Sequence, residues 1–189
     1  MTSPSKIKEY VKLAIEQSGD MNEIKDYVTH EADSDGIDGA VQVPLVEIEQ
    51  VGFQREDLAN TTKAGLITDD DGNEVGHVYE SLYTVDLNIN VWVADGSNYD
   101  VGELGDKLRK VLFAYDIRGP DNSFVDEDNR PVDTIYQFKL GESNTEADTA
   151  QTPTIRYWQQ SASVSAAEQH TDIPEQPAIS DTTVNSDVE

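Results

Sequence analysis

Apolar and polar residues alternate most strictly between Tyr79 and Val93. Tyr79, Tyr83, Val85, Leu87, Ile89, Val91 and Val93 fall at alternate positions, with Glu80, Thr84, Asp86, Asn88 and Asn90 between them. A period of two is that of an antiparallel strand with one buried and one wet face. Two other stretches carry the spacing of an amphipathic helix. In the first, Ile7, Val11, Ala14 and Ile15 recur with Tyr10 beside them, behind Ser3-Pro4, a good N-cap followed by a residue tolerated at the first helical position. Gly19 ends it. In the second, from about Tyr99 to Ala114, the apolar face is Val101, Leu104, Leu108, Val111 and Leu112. Its Lys107, Arg109 and Lys110 lie toward the C-terminal half, where the helix dipole favours cations. A shorter helical pattern, Met21 to about Val28, starts with Asp20 and Glu23 at capping-box spacing.

Between these elements the chain is punctuated by turn formers. Residues 31–40 read as a loop. Val41 to Val51 reads as a strand, with Pro44 implying an edge position or a late start. Residues 52–63 are polar and irregular. Ala64 to Val78 has the form of a long hairpin or arm with Asp69-Asp70-Asp71-Gly72-Asn73 at its tip, since Asp-Gly is a strong turn signal. Asp95 to Asn98 is a turn and residues 116–131 a long acidic loop. Strands are expected from Val132 to Leu140 and from Thr154 to about Val164. Beyond Ser165 there is no Lys or Arg and much Pro, Ser, Thr, Asp and Glu, a composition that does not support a packed core. The expected fold is α+β: an antiparallel sheet of about four strands, two helices packed on one face, an extended β-hairpin arm and a disordered acidic C-terminal tail. The expected division is a single domain over 1–164, with the arm at about 64–78, and a tail over 165–189.

Charge adds a condition on solvent. The 189 residues include 38 Asp and Glu against 13 Lys and Arg, a formal net charge of -25. Such a charge repels itself and opposes compaction. Screening removes the repulsion: the Debye length is roughly 30 Å at about 0.01 M salt and roughly 3 Å at about 1 M. The acidity does not sit in the tail, since residues 165–189 hold six acidic residues. Its spread over a patterned core fits a protein adapted to very high salt. Mimicry of DNA and service to a divalent metal ion, as in an enzyme with paired carboxylates, are the competing readings. The same charge disfavours direct binding to a phosphate backbone, which needs clustered cations. With no cysteine there is no disulfide or thiol chemistry. The charged, periodic N-terminus is unlike a secretory signal, and no apolar run approaches the ~20 residues of a membrane-spanning helix.

Candidate chemistry is sparse. Asp33-Ser34-Asp35-Gly36 and Asp69-Asp70-Asp71-Gly72-Asn73 invite a calcium reading, but aligned on their glycines the twelfth positions of the loop are Gln42 and Val78, where a bidentate Glu is required. Both clusters read better as turns. His30, His77 and His170 are isolated, with no partner at metal-ligand spacing. Asn60-Thr61-Thr62 matches a glycosylation acceptor, read as coincidental without a secretory signal. No nucleophile elbow, phosphate loop or dinucleotide fingerprint is present. No catalytic, cofactor-binding or metal-ligating residue is assigned, no cofactor is expected, and the chain is not expected to be an enzyme.

Apolar residues off the buried faces are more informative. Trp92 and Leu82 lie on the face of the long strand opposite Val91 and Val93, and Tyr157 and Trp158 point to opposite faces of the last strand. Either the arm or a loop covers the second face of the sheet, or that face meets another subunit, where Trp and Tyr are favoured. Leu66 and Ile67, close to the polar tip of the arm, suit contact with a neighbour. Leu66, Ile67, Leu82, Trp92 and Trp158 are therefore the candidate subunit-contact residues.

The succession VQVPLVEIE, YESLYTVDLNINVWVAD, YDVGELGDKLRKVLF, DTIYQFKLGE and TPTIRYWQQSASV, behind an N-terminal helix, resembles the tail-terminator (tail-completion, or neck) proteins of long-tailed double-stranded DNA viruses. The resemblance spans about residues 5–164 and rests on the order and pattern of elements. The composition would place such a protein in a virus of halophilic archaea. The resemblance implies a ring, usually a hexamer, at the head-proximal end of the tail tube. The ring terminates tube polymerisation and joins the tail to the head–tail connector, so the implied partners are the tail-tube protein and connector or neck proteins. Duplex DNA would pass through the lumen without specific binding. The implied location is the virion, after assembly in the host cytoplasm, with no membrane contact. The alternative function is an acidic DNA mimic or binding module that sequesters a basic partner.

Overall fold

The alternating strand is longer than its pattern suggests. The computed structural model describes residues 4–31, 42–55, 62–116, 123–132, 134–148 and 154–172. In chain order the elements are α1 (Pro4–Gln17), β1 (Asp26–Glu31), β2 (Leu45–Arg55), β3 (Thr62–Thr68), β4 (Glu74–Ala94), α2 (Val101–Asp116), β5 (Ile135–Asp148) and β6 (Ile155–Asp172). The order across the sheet is β1-β2-β4-β6-β5, with β3 paired to the far part of β4. The fold is α+β as expected. The sheet has six strands, not about four, and it is mixed: β1 runs parallel to β2 while the other pairs are antiparallel.

Two differences from the sequence reading share one cause. The helical pattern at Met21–Val28 resolves into a turn followed by β1, because a six-residue edge strand beside β2 lets Tyr27 pack against the core. Propensity over so short a stretch is weak, and tertiary pairing overrides it. Likewise β6 does not stop at Val164. Residues 165–172 pair with β4 over Thr84 to His77, so the first third of the supposed tail is a ladder strand. Small residues, Ser165, Ala166 and Ala167, gave no apolar run to detect, yet Ala166 and Ala167 are buried. Residues 173–189 lie outside the described residues.

Pro44 precedes β2, where its missing N–H costs no ladder bond, and its carbonyl accepts from Lys25 N at 2.8 Å. The hairpin tip is as read: Asp69 Oδ1 accepts from the backbone N–H groups of Asp71 and Asn73, and Gly72 takes φ +83°. Those bonds, that of Asn73 first, hold the Asp69 carboxyl below the usual range. This carboxylate closes a turn. The other acidic cluster, Asp33 to Gly36, lies outside the described residues. In the acidic stretch read as loop, Phe124 tucks into the core, stacked on Tyr115 and edge-on to Phe138.

Both helices pack on one face of the sheet. Odd-numbered β4 residues from Tyr83 to Val93 are buried there, against Ile7, Val11 and Ile15 of α1 and Leu104, Leu108 and Leu112 of α2. Asp100 Oδ1 caps α2 by accepting from Glu103 N at 2.9 Å. Lys107 on α2 bonds Glu23 in the turn after α1, which tethers the helices together and lowers the Glu23 pKa. At Gly105 the helix comes so close to the sheet that a Cβ would stand 2.4 Å from Trp158 Cδ2.

Length sets what the helices leave bare. At about 3.3 Å per residue β4 spans roughly 70 Å, whereas α2 at about 1.5 Å per residue spans roughly 24 Å. The core therefore underlies residues 83–93, and β3, the start of β4 and the end of β6 run past it as a three-stranded wing. Burial along β4 follows this division, with few buried positions before Tyr83 and most buried after it.

Candidate functional site

The second face of the sheet is the even side of β4. By register it carries Leu82, Thr84, Asp86, Asn88, Asn90 and Trp92, beside Glu47 and Glu49 of β2, Tyr157 to Ser165 at odd positions of β6, and Lys139 and Glu146 of β5. The arm does not fold over this face. β3 lies edge to edge with β4 and extends the sheet in its own plane.

Its most ordered corner is built on Glu47, which is 7% exposed. Alternation along β2 turns this carboxylate away from the helices, and three neighbours on adjacent strands converge on it. Asn90 Nδ2 donates to Oε2 at 2.8 Å, Trp92 Nε1 donates to Oε2 at 2.7 Å, and His30 Nε2 lies 2.8 Å from Oε1. A buried carboxylate without partners would be costly, so the network accounts for its burial. The Trp92 ring is thereby held against Tyr157, centroids 4.6 Å apart and 31° between planes, and the Tyr157 hydroxyl bonds Glu146. Replacing Glu47 by Leu leaves the Trp92 and Asn90 donors without their acceptor. Loss of a buried acceptor costs about 1–3 kcal/mol. The expected result is a lower melting temperature together with red-shifted, more quenchable tryptophan fluorescence, while Glu49→Leu, at a half-buried neighbour on the same face, leaves the spectrum unchanged.

The second feature of the face lies some ten residues along β4. A cavity of about 750 Å³ is lined by Glu80, Leu82, Thr84, Tyr136, Gln137 and Ser165 together with Tyr83, Phe138, Ala166 and Asp116, so it reaches round the sheet end to the C-terminus of α2. The Tyr136 hydroxyl donates to Glu80 Oε2 at 3.2 Å, and Gln169 Nε2 donates to Oε1 at 2.8 Å. Burial, then the Glu80 charge, raises the Tyr136 pKa, which keeps it a donor. Leu82 is 38% and Tyr136 42% exposed.

The candidate contact residues therefore do not form one site. Leu82 borders the cavity. Trp92 is half-buried and pinned by Glu47, about 33 Å from Leu82 along the strand. Leu66, 55% exposed, and the half-buried Ile67 sit on the wing, on opposite faces by alternation. Trp158 is a correction: it is 6% exposed, packed under Gly105 as part of the core, with its face of β6 covered by α2. Sequence reasoning missed Glu47, His30 and Asn90, whose meeting depends on cross-strand register. It also missed Tyr136, which sits at the bulge in β5, and Phe113, which the helical spacing of α2 leaves off its apolar face. Among the described residues no group of three or more His, Asp or Glu is placed to hold a metal ion, and no helix is long and apolar enough to cross a membrane. The chain matches no protein-family model and no curated protein.

Proposed function

We propose that the chain is a structural virion protein that assembles as a ring, a homo-hexamer, at the head-proximal end of the tail tube of a long-tailed virus of halophilic archaea. The ring ends tube polymerisation and joins the tail to the head–tail connector. The observation that carries this reading is the shape of the sheet. One face is packed by helices, the other carries Leu82, Trp92 and Tyr157 among polar side chains with no helix over it among the described residues, and a wing projects past the core. A subunit with these features has surfaces to spare for neighbours, where Trp and Tyr are favoured. The element order, helix, strand, hairpin, long strand, helix and two strands, is the order on which the resemblance to tail terminators rests. Duplex DNA passes the acidic assembly without binding, because like charges repel. In this role the chain has no catalytic part.

Assembly tests the reading. In salt of about 1 M or more, where repulsion is screened, the purified chain is expected to sediment as a ring and, added to polymerising tail-tube protein, to cap tubes at one end and shorten them in electron micrographs. A chain that stays monomeric with the tube protein present, and leaves tube length unchanged, rules the proposal out.

A further inference from the structure

Charge in this molecule is segregated between its layers. α1 carries three basic and two acidic residues, and α2 three of each. The helices together are net +1, leaving -26 on the rest of a chain whose total is -25. In the helix layer cations balance the acids. Within it Arg109, Lys110 and Phe113 form an exposed stripe one turn long, since positions three and four apart share a helix face. Phe113 is 50% exposed, and neither Arg109 nor Lys110 has an ion-pair partner among the described residues. Two cations without an ion-pair partner among the described residues, beside an exposed ring, stand out in so acidic a chain. Arginine and aromatic anchors are what interface centres favour.

The end of the sheet beside the C-terminus of α2 supplies the complement. The cavity there has Leu82, Tyr83, Phe138 and Ala166 in its walls, room for a phenyl ring, and the Glu80 and Asp116 carboxylates in its lining. We propose that the Phe113 stripe of one copy docks into the Leu82–Tyr136 cavity of the next, with Phe113 as the anchor and Arg109 and Lys110 facing Glu80. The inference rests on the ring reading and deepens it by naming the two halves of the contact. The occupant is a second copy because this chain carries both halves. Another acidic protein would suit the stripe but be repelled at the cavity, and a basic one would do the reverse.

The geometry has a consequence for symmetry. The two halves are different patches of one chain, since the stripe lies on the outer face of α2 and the cavity is lined by the sheet end and by Asp116. The contact is head to tail, which closes into a ring if the rotation allows and otherwise continues as a filament. Salt has opposite effects on its parts. Screening weakens the Arg109 and Lys110 attractions, but it lets two strongly acidic bodies approach and leaves burial of Phe113 intact.

The test is sedimentation over a concentration series in about 1 M salt, on the full chain and on three surface variants: Phe113→Ala, Arg109→Glu with Lys110→Glu, and the latter combined with Glu80→Lys. Circular dichroism confirms folding of each. The expected result is that Phe113→Ala raises the assembly midpoint at least about tenfold, that the charge reversal raises it less, and that Glu80→Lys recovers part of that loss. If the wild type assembles and all three variants assemble as it does, this inference is overturned and the ring reading stands. If the wild type is monomeric at every concentration, or uses the stripe to hold a different protein or duplex DNA, both fall.

Discussion

Moved from about 1 M to about 0.01 M monovalent salt, the protein is expected to unfold at room temperature, with cooperative loss of its far-ultraviolet circular dichroism. Two like unit charges about 20 Å apart in water repel by about 0.2 kcal/mol, and an excess of about 25 charges makes roughly 300 pairs, so the unscreened repulsion is tens of kcal/mol. The expanded chain retains part of this. The difference still outweighs the roughly 5–15 kcal/mol by which a typical domain is stable. At about 1 M the Debye length of roughly 3 Å is shorter than most charge separations on the surface, and the term vanishes. The ion pairs of the fold do not offset it, since Lys107–Glu23, Arg156–Asp95 and Arg130–Asp128 are partly or largely exposed. Such pairs contribute little. Sodium chloride at rising concentration should restore the signal, whereas sucrose at equal osmolarity should restore much less. A melting temperature that moves by only a few degrees across the same range would show that the core tolerates the charge unaided.

The second expected result concerns one glycine. Gly105→Ala should destabilise the protein by about 1–3 kcal/mol, although alanine is the better helix former by about 1 kcal/mol. The added methyl would sit 2.4 Å from Cδ2, 2.5 Å from Cγ and 2.8 Å from Cδ1 of Trp158. These are ring atoms of a buried side chain, and neither the helix nor the ring can move without disturbing Leu104 or Leu108. Trp158→Ala should cost about 3–5 kcal/mol through the cavity it leaves. The informative measurement is the double variant. With the indole gone the methyl has space, so Gly105→Ala should become neutral or stabilising in that background, a coupling that denaturant titration of the four proteins measures directly. Equal losses in both backgrounds would mean that the close approach of α2 to β6 is not what Gly105 provides.

Legibility in the sequence followed the range of the interactions. α1, α2 and the alternating half of β4 were plain because their buried faces repeat within a few residues. The hairpin tip was plain because Asp69 to Asn73 closes on itself. What depended on a distant partner was hidden. β1 is too short to carry a period, and it exists because β2 offers an edge. The end of β6 is a strand because β4 continues beside it, although its own Ser165-Ala166-Ala167 looks like the start of a tail. Gln160 is the clearest case: a fully buried amide whose Nε2 donates to the carbonyls of Gly141, Glu142 and Ser161, filling the irregularity in β5 between Leu140 and Ser143. No local signal marks a polar side chain for that place. The candidate contact residues divide in the same way. Leu82 was placed correctly on the open face by alternation, and Trp158 was misplaced because α2 covers its face of β6.

The mismatch in length between strands and helices also makes one strand serve two mechanical roles. From Tyr83 onward β4 is clamped between β2, β6 and the helix layer, and its backbone can open only when the whole core does. Before Tyr83 the same strand has β3 and the end of β6 beside it and no helix beneath it. Opening free energies fall where buried apolar contacts are few. A chain built this way can fray at one end of a continuous strand, with no hinge residue and at no cost to the register of the other end.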